Sequence, residues 1–141
     1  MMISRTALVT LFACVSALSS CQTTQSGGPK GSLFGGPAKT PSVYISALDG
    51  GVVSQSGADL SNGQKQRALE AEYRALEAAP SGQKVTWNDD DAAGEVVAAA
   101  PYQVGNQNCR QYKHSVTMDG KTYQAHGAAC RNDDGTWTPL D

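Results

Sequence analysis

From Ser61 to Pro80, in "SNGQKQRALEAEYRALEAAP", the apolar side chains Leu69, Tyr73 and Leu76 recur at i, i+4 and i+7. That period puts them on one narrow stripe of an α-helix. Ser61 or Asn62 supplies the N-cap, Glu70 and Arg74 stand in the favourable i, i+4 order, and Pro80, Ser81 and Gly82 stop the helix. The stripe lacks the basic flank of a membrane-surface helix and is expected to dock on a sheet. Beyond Gly82 the period changes to two, with turn residues at short intervals. "QKVTW", "EVVAAAPYQV", the two halves of "NCRQYKHSVTMDGKTYQAHGAACR" and "TWTPL" read as strands, separated by "NDDDAAG", "GNQN" and "NDDG". Pro101 has no N–H to give a ladder, which moves its part of the second strand to an edge or a bulge. The pattern predicts an α+β fold: one helix followed by a small antiparallel β-sheet of about five strands, with the helix on one face or end.

Asp119-Gly120 fixes the register of the longest hairpin, because a two-residue type I′ loop needs two positions with positive φ. Met118 then pairs with Lys121, and Cys109 meets Cys130 nine residues back from the loop on both strands. Pairs alternate along an antiparallel ladder, so the cysteines fall on a non-hydrogen-bonded rung, where Cα atoms lie about 4.5 Å apart. A disulfide closes over that distance. The same register puts Tyr112, His114, Val116, Met118, Tyr123, Ala125, Gly127 and Ala129 on an apolar, core-facing side. Gln111, Lys113, Ser115, Thr117, Thr122, Gln124, His126 and both cysteines share the polar side.

Two cysteines and two histidines also match a common zinc ligand count. Four ligands must converge at about 2.0–2.3 Å from the metal, however, and His114 and His126 point to opposite faces of the sheet. A catalytic cysteine needs a base within reach, and His126 stands four residues from Cys130, about 13 Å along a strand. The expectation is a structural disulfide between Cys109 and Cys130, contributing about 3 kcal/mol, with no metal ligands, no catalytic residues and no cofactor. Asp89-Asp90-Asp91 and Asp133-Asp134 miss the EF-hand spacing and read as solvated turns. Trp87 and Trp137 are expected in the core or on a sheet face, the alternative being a ligand platform.

The N-terminus changes the picture from a plain small domain to an exported one. In "MMISRTALVTLFACVSALSSC", Arg5 precedes an apolar run from Ala7 to Leu18 and small residues lead to Cys21, the order of an export signal. The run is shorter than the roughly 20 residues of a spanning helix. Leu18-Ser19-Ser20-Cys21 has the form of a bacterial lipobox, in which the cysteine sulfur takes the lipid and the signal is cut in front of it; the alternative is an ordinary signal with an incidental cysteine. Gln22, where inner-membrane retention often uses Asp, suggests the outer membrane. Removal of residues 1–20 takes Arg5 and leaves ten basic against thirteen acidic residues. Such a chain, without a basic run, is not a nucleic-acid binder. Residues 21–59 are rich in Gly, Ser and Pro and read as a flexible tether with a reach of about 35 Å. Within it, "VYISAL" from Val43 to Leu48 is expected as a short strand or an apolar sticky spot. Gly27, Gly31 and Gly35 have the spacing of close-packed helices, but Pro29, Lys30 and Pro37 interrupt it. The organisation expected is a signal over 1–20, a tether over 21–59 and an α+β domain over 60–141.

"RALEAAPSGQKVTWN", "CRQYKHSVTMDGKTYQAHGAACRNDDGTW" and the lipobox resemble the rickettsial-type 17-kDa surface antigen family of outer-membrane lipoproteins, over roughly Arg74 to the C-terminus. The resemblance implies a cell-surface or periplasm-facing lipoprotein without known enzymatic activity, with Cys21 as the lipid site. Many members carry a membrane-type glycine zipper between lipobox and helix, whereas the corresponding stretch here is short and proline-containing. The function expected is an outer-membrane-anchored lipoprotein, held by lipid on Cys21, with a structural or interaction role in the envelope towards a protein partner of envelope or host. The alternative is a tethered inhibitor of an envelope-attacking hydrolase, working through loops 88–94, 104–108 and 132–135. A hydrolase is set aside, because no nucleophile elbow, zinc-ligand run or paired carboxylates are present.

Overall fold

The computed structural model describes residues 40–140. The signal, Cys21 and the Gly27-Gly31-Gly35 spacing lie outside the described residues. The order is α1 (Ser42–Ala47), a 3-10 turn (Val52–Gln55), α2 (Asn62–Glu77) and six strands: β1 (Lys84–Asn88), β2 (Ala92–Ala98), β3 (Tyr102–Val104), β4 (Gln107–Met118), β5 (Lys121–Arg131) and β6 (Trp137–Leu140). All pairings are antiparallel, in the order β1-β2-β4-β5-β6, with β3 following β2 along the same edge of β4. The α+β class and the helix-then-sheet order stand as expected. The sheet has six strands because Pro101 divides "EVVAAAPYQV" into β2 and β3. Ala99 N–H still bonds Gln111 O at 2.8 Å, then the proline breaks the ladder, and Tyr102 resumes it opposite Cys109.

The hairpin has the register that its loop demands. Met118 pairs with Lys121 and Cys109 with Cys130, and every rung between them is in step. Asp119 and Gly120 both have positive φ, at 51° and 71°. The cysteines are bonded, with Cα atoms 4.0 Å apart. Tyr112, His114, Val116, Ala125 and Ala129 are buried on the face that meets α2 and the 3-10 turn, while Gln111, Thr117, Thr122, Gln124 and His126 are exposed on the other.

Two expectations are corrected. First, the buried line of α2 is Gln64, Ala68, Ala71, Glu72, Ala75 and Leu76; Leu69 and Tyr73 flank it, half-buried. Alanines let the helix axis approach the sheet closely, and the larger flanking side chains cover the segment beside it. Tyr73 stacks at 5.1 Å on Tyr44 of α1. Ser61 closes a full capping box with Gln64, and Arg74 Nε donates to the Glu70 carbonyl, not to its carboxylate. Second, the tether does not run to residue 59. "VYISAL" is helical, and Ile45, Leu48, Val52, Val53 and Leu60 are all buried. Residues 42–60 form a strap over the edge of α2 and the inner face of β5. Their apolar side chains gain more by burial than the glycines and serines between them lose in chain entropy.

The strap is fitted to its bed by missing Cβ atoms. A Cβ on Gly127 of β5 would stand 2.3 Å from Val52 Cγ1, and one on Gly51 would stand 2.0 Å from Glu72 Oε2. Gly51 also has φ of 58° with extended ψ, a conformation glycine adopts without strain.

Burial of Leu48, Val52 and Val53 alone is worth more than about 4 kcal/mol. A fragment beginning at Leu60 is therefore expected to lose the cooperative thermal transition that a fragment beginning at Thr40 shows, followed by far-UV circular dichroism under oxidising conditions. Equal melting of the two would mean that the strap is dispensable.

Candidate functional site

Titratable side chains gather at one point of the molecule, and it is interior. Glu72, at the centre of α2's buried line, and His114, on β4, are both fully buried. Trp87 of β1 donates its indole N–H to His114 Nε2 at 2.8 Å. An indole nitrogen only donates, so Nε2 bears no proton and Nδ1 carries it. Nδ1 then donates to Glu72 Oε1 at 2.7 Å. Val53 N–H reaches the same oxygen at 2.9 Å; Val52 N–H and the Tyr112 hydroxyl reach Oε2, each at 3.2 Å. Four donors converge on two oxygens, which is the hydrogen-bonding pattern of an ionised carboxylate, with its lone pairs used. Burial, and then the negative charge of Glu72, push the Tyr112 hydroxyl well above the ordinary phenol range. Trp87 itself is admitted by Gly94, where a Cβ would stand 2.4 Å from the indole nitrogen.

This constellation has the residue types of acid–base machinery without its accessibility. A general base must come within hydrogen-bond reach of a substrate proton. Here the Glu72 oxygens and His114 Nε2 are already occupied, and both side chains are fully buried. What the arrangement does is join α2, the 3-10 turn, β1 and β4 through one carboxylate.

A second interior charge closes the other end of the helix. Arg110 is buried, and its Nη1 donates to the carbonyls of Ala75, Leu76 and Ala79 at 3.0, 2.9 and 3.0 Å; its Nε donates to Ala99 O at 2.8 Å. Ala75 and Leu76 offer two of the unpaired carbonyls at the helix C-terminus, where a cation is favoured, and Ala79 lies just beyond it. Burial lowers its pKa from the usual guanidinium range. Next to it, Glu77 binds Arg131 through two hydrogen bonds at 2.9 and 3.0 Å and accepts the Trp137 indole N–H at 2.9 Å. The Arg131 hydrogen bonds hold the Glu77 carboxyl below its usual range.

The cysteines are together, joined and buried, while His114 and His126 stand on opposite faces of the sheet. Trp87 and Trp137 are core residues. The acidic turns are engaged locally: Asp89 pairs with Arg67, Asp91 accepts from Gln64 and Asp134 accepts from Thr136. Among the described residues no cluster of three or more His, Cys, Asp or Glu side chains has the geometry of a metal site. Glu72 and Arg110 escaped the sequence reading. Glu72 had a signal: it stands four residues from both Ala68 and Leu76, and so within the apolar line.

Replacing Glu72 by Gln puts an NH₂ group against donors, and each donor orphaned in the interior costs about 1–3 kcal/mol. E72Q is expected to lower the urea midpoint by the equivalent of at least about 2 kcal/mol. A change below a few tenths would disprove the four-donor arrangement. Glu77 has a folded pKa below its unfolded one, so its contribution is fully present above pH 4.5 and is lost as pH falls through the folded value. In urea titrations, E77Q is expected to lower stability at pH 7 and to flatten its decline below pH 4.5, relative to the unmodified protein.

A family model described as "17 kDa outer membrane surface antigen" matches residues 74–138, from the last turn of α2 through β6. The 17 kDa surface antigen of Rickettsia bellii (strain RML369-C) is 34% identical over 120 residues, covering 79% of this chain and 76% of the relative. That of Rickettsia conorii is 43% identical over 67 residues, covering 45% of this chain and 42% of the relative. The Rickettsia prowazekii protein is 40% identical over 78 residues, covering 52% and 49%. No solved structure matches. Among the described residues no helix is long and apolar enough to cross a membrane. With its stapled hairpin and its extended match to the Rickettsia bellii protein, the chain belongs to the 17 kDa surface antigen family.

Proposed function

We propose that this surface antigen-like protein is an outer-membrane lipoprotein, anchored by lipid on Cys21, that presents its α+β domain for a structural or interaction role in the cell envelope. The observation that carries the reading is the Leu18-Ser19-Ser20-Cys21 sequence behind an apolar run, in a chain of a family described as outer-membrane surface antigens. The fold is consistent with it. The titratable groups of the interior have their hydrogen bonds filled, the two sulfurs are joined, and the interior is organised to hold shape. A disulfide suits an exported domain of this size. More than one acyl chain is needed for firm attachment, and mature bacterial lipoproteins carry several.

The test is metabolic labelling with an alkyne fatty acid, followed by membrane fractionation. The unmodified protein is expected to take the label and to sediment with outer membranes. C21S is expected to lose the label entirely and to retain the uncleaved signal by mass. Labelling of C21S equal to that of the unmodified protein, or release of the mature chain without lipid, would overturn the anchor.

A further inference from the structure

We propose that the helix-free face of the sheet binds an acidic glycan, with Lys113 and His126 holding a carboxylate of the ligand. This gives the interaction role proposed above a ligand class, and it does not depend on lipid at Cys21.

Lys113 of β4 stands directly opposite His126 of β5 on the outer face. Among the described residues neither side chain takes part in an ion pair or a side-chain hydrogen bond; the pairs present are Arg67–Asp89, Lys84–Glu95, His114–Glu72 and Arg131–Glu77. The one carboxylate that β2 presents to this face, Glu95, is held by Lys84 at 2.8 Å. The Lys113 ammonium is thus left without a carboxylate partner, beside an imidazole that offers a ring N–H. The overall charge of the chain is −2, so a cationic point is not a reflection of a basic surface.

The pair borders a shallow hollow of about 380 Å³, with Gln111, the apolar Val97 and the small residues Gly82, Ala98 and Ala99 on its walls. Two residues along each strand, about 7 Å away, Ser115 and Gln124 line a larger hollow of about 560 Å³ with Thr86, Thr117 and Thr122. The two hollows lie on one face of the same sheet and share the β4–β5 hairpin as floor. Besides Lys113, His126 and the Glu95 carboxylate, which Lys84 holds, the polar side chains that line them are hydroxyls and amides, which both donate and accept. Those groups suit a chain of hydroxyl-bearing units, and the single cationic point suits one acid group along it.

Other occupants fit less well. An extended peptide takes its hydrogen bonds from the backbone of a sheet edge, and these hollows are on a face. A nucleic acid requires many cations, and this face has one uncompensated lysine, Lys113, since Glu95 holds Lys84. A bilayer requires apolar side chains standing out among the cations, whereas the exposed apolar residues Tyr102, Val104 and Leu140 lie at the far, disulfide end of the face.

The experiment uses the processed full chain in detergent micelles, titrated with a soluble oligogalacturonate while amide resonances are followed by NMR. The methyl-esterified oligomer, inorganic phosphate and anionic phosphatidylglycerol micelles serve as separate arms. Expected are shifts confined to Lys113, His126, Gln111, Ser115 and Gln124, affinity weaker by about tenfold for the ester, and a similar loss in the double variant K113Q/H126Q with an unchanged spectrum elsewhere. No response to the oligomer overturns the proposal. So does an equal response to phosphate, which would make the site a bare anion site, or a stronger response to the lipid. The mass of the N-terminal peptide in the same sample reports lipid on Cys21, so failure of the anchor and failure of the glycan site are read separately.

Discussion

A single buried carboxylate holds the parts of this domain in register. Glu72 reaches the sheet through His114 and Tyr112, and the strap through two successive backbone N–H groups. An ionised group in an apolar interior is tolerated only when its acceptor sites are filled. That requirement runs in both directions. The strap must lie where Val52 and Val53 face α2, the imidazole must take the Nδ1–H tautomer, and Trp87 must supply the proton that keeps it there. Apolar packing, with Val52 seated over Gly127, sets where the strap rests, and the carboxylate fixes it through directed hydrogen bonds.

The same logic explains why small residues recur around this centre. Gly51, Gly94 and Gly127 each stand where a Cβ would collide with Glu72, Trp87 or Val52. Their role is close approach, of carboxylate to backbone, of indole to strand and of valine to sheet. Arg110 performs the matching task at the other end of α2, where it satisfies two carbonyls that the helix leaves open and that of Ala79 just beyond. The helix is thus fixed at its middle by an anion and at its C-terminus by a cation, and the two do not touch each other among the contacts described.

Much of the sheet was legible because strand geometry is local arithmetic. Asp119-Gly120 admits one tight loop, and a period of two then carries the register to the cysteines without further information. The end of α2 was legible from Pro80-Ser81-Gly82, and its start from Ser61 or Asn62, of which the structure uses Ser61. Pro101 signalled an interruption, and only the structure shows that both halves still bond to β4. The strap was hidden by composition. Glycine and serine dominate residues 50–57, yet Ile45, Leu48, Val52 and Val53 recur among them, and burial is decided by those four. Glu72 was hidden by its charge, which ordinarily marks a solvent-facing helix position. Tertiary donors from two separate elements, the 3-10 turn and β4, overrode that preference, and no local pattern announces them. At the candidate glycan face, the opposition of Lys113 and His126 followed from the register, whereas the absence of an acid beside them required the positions of Glu95 and Lys84.

The strap also sets how this domain meets mechanical load. The chain enters the fold through α1, which rests against α2 and β6, and continues into the 3-10 turn on β5. A pull from the N-terminal side is therefore delivered first to α1, then to Val52 and Val53, and only afterwards to the sheet. The long hairpin, cross-linked at its open end, lies out of the line of force. Peeling would proceed helix by turn until the two valine amides leave Glu72, a step that strips that carboxylate of half its donors.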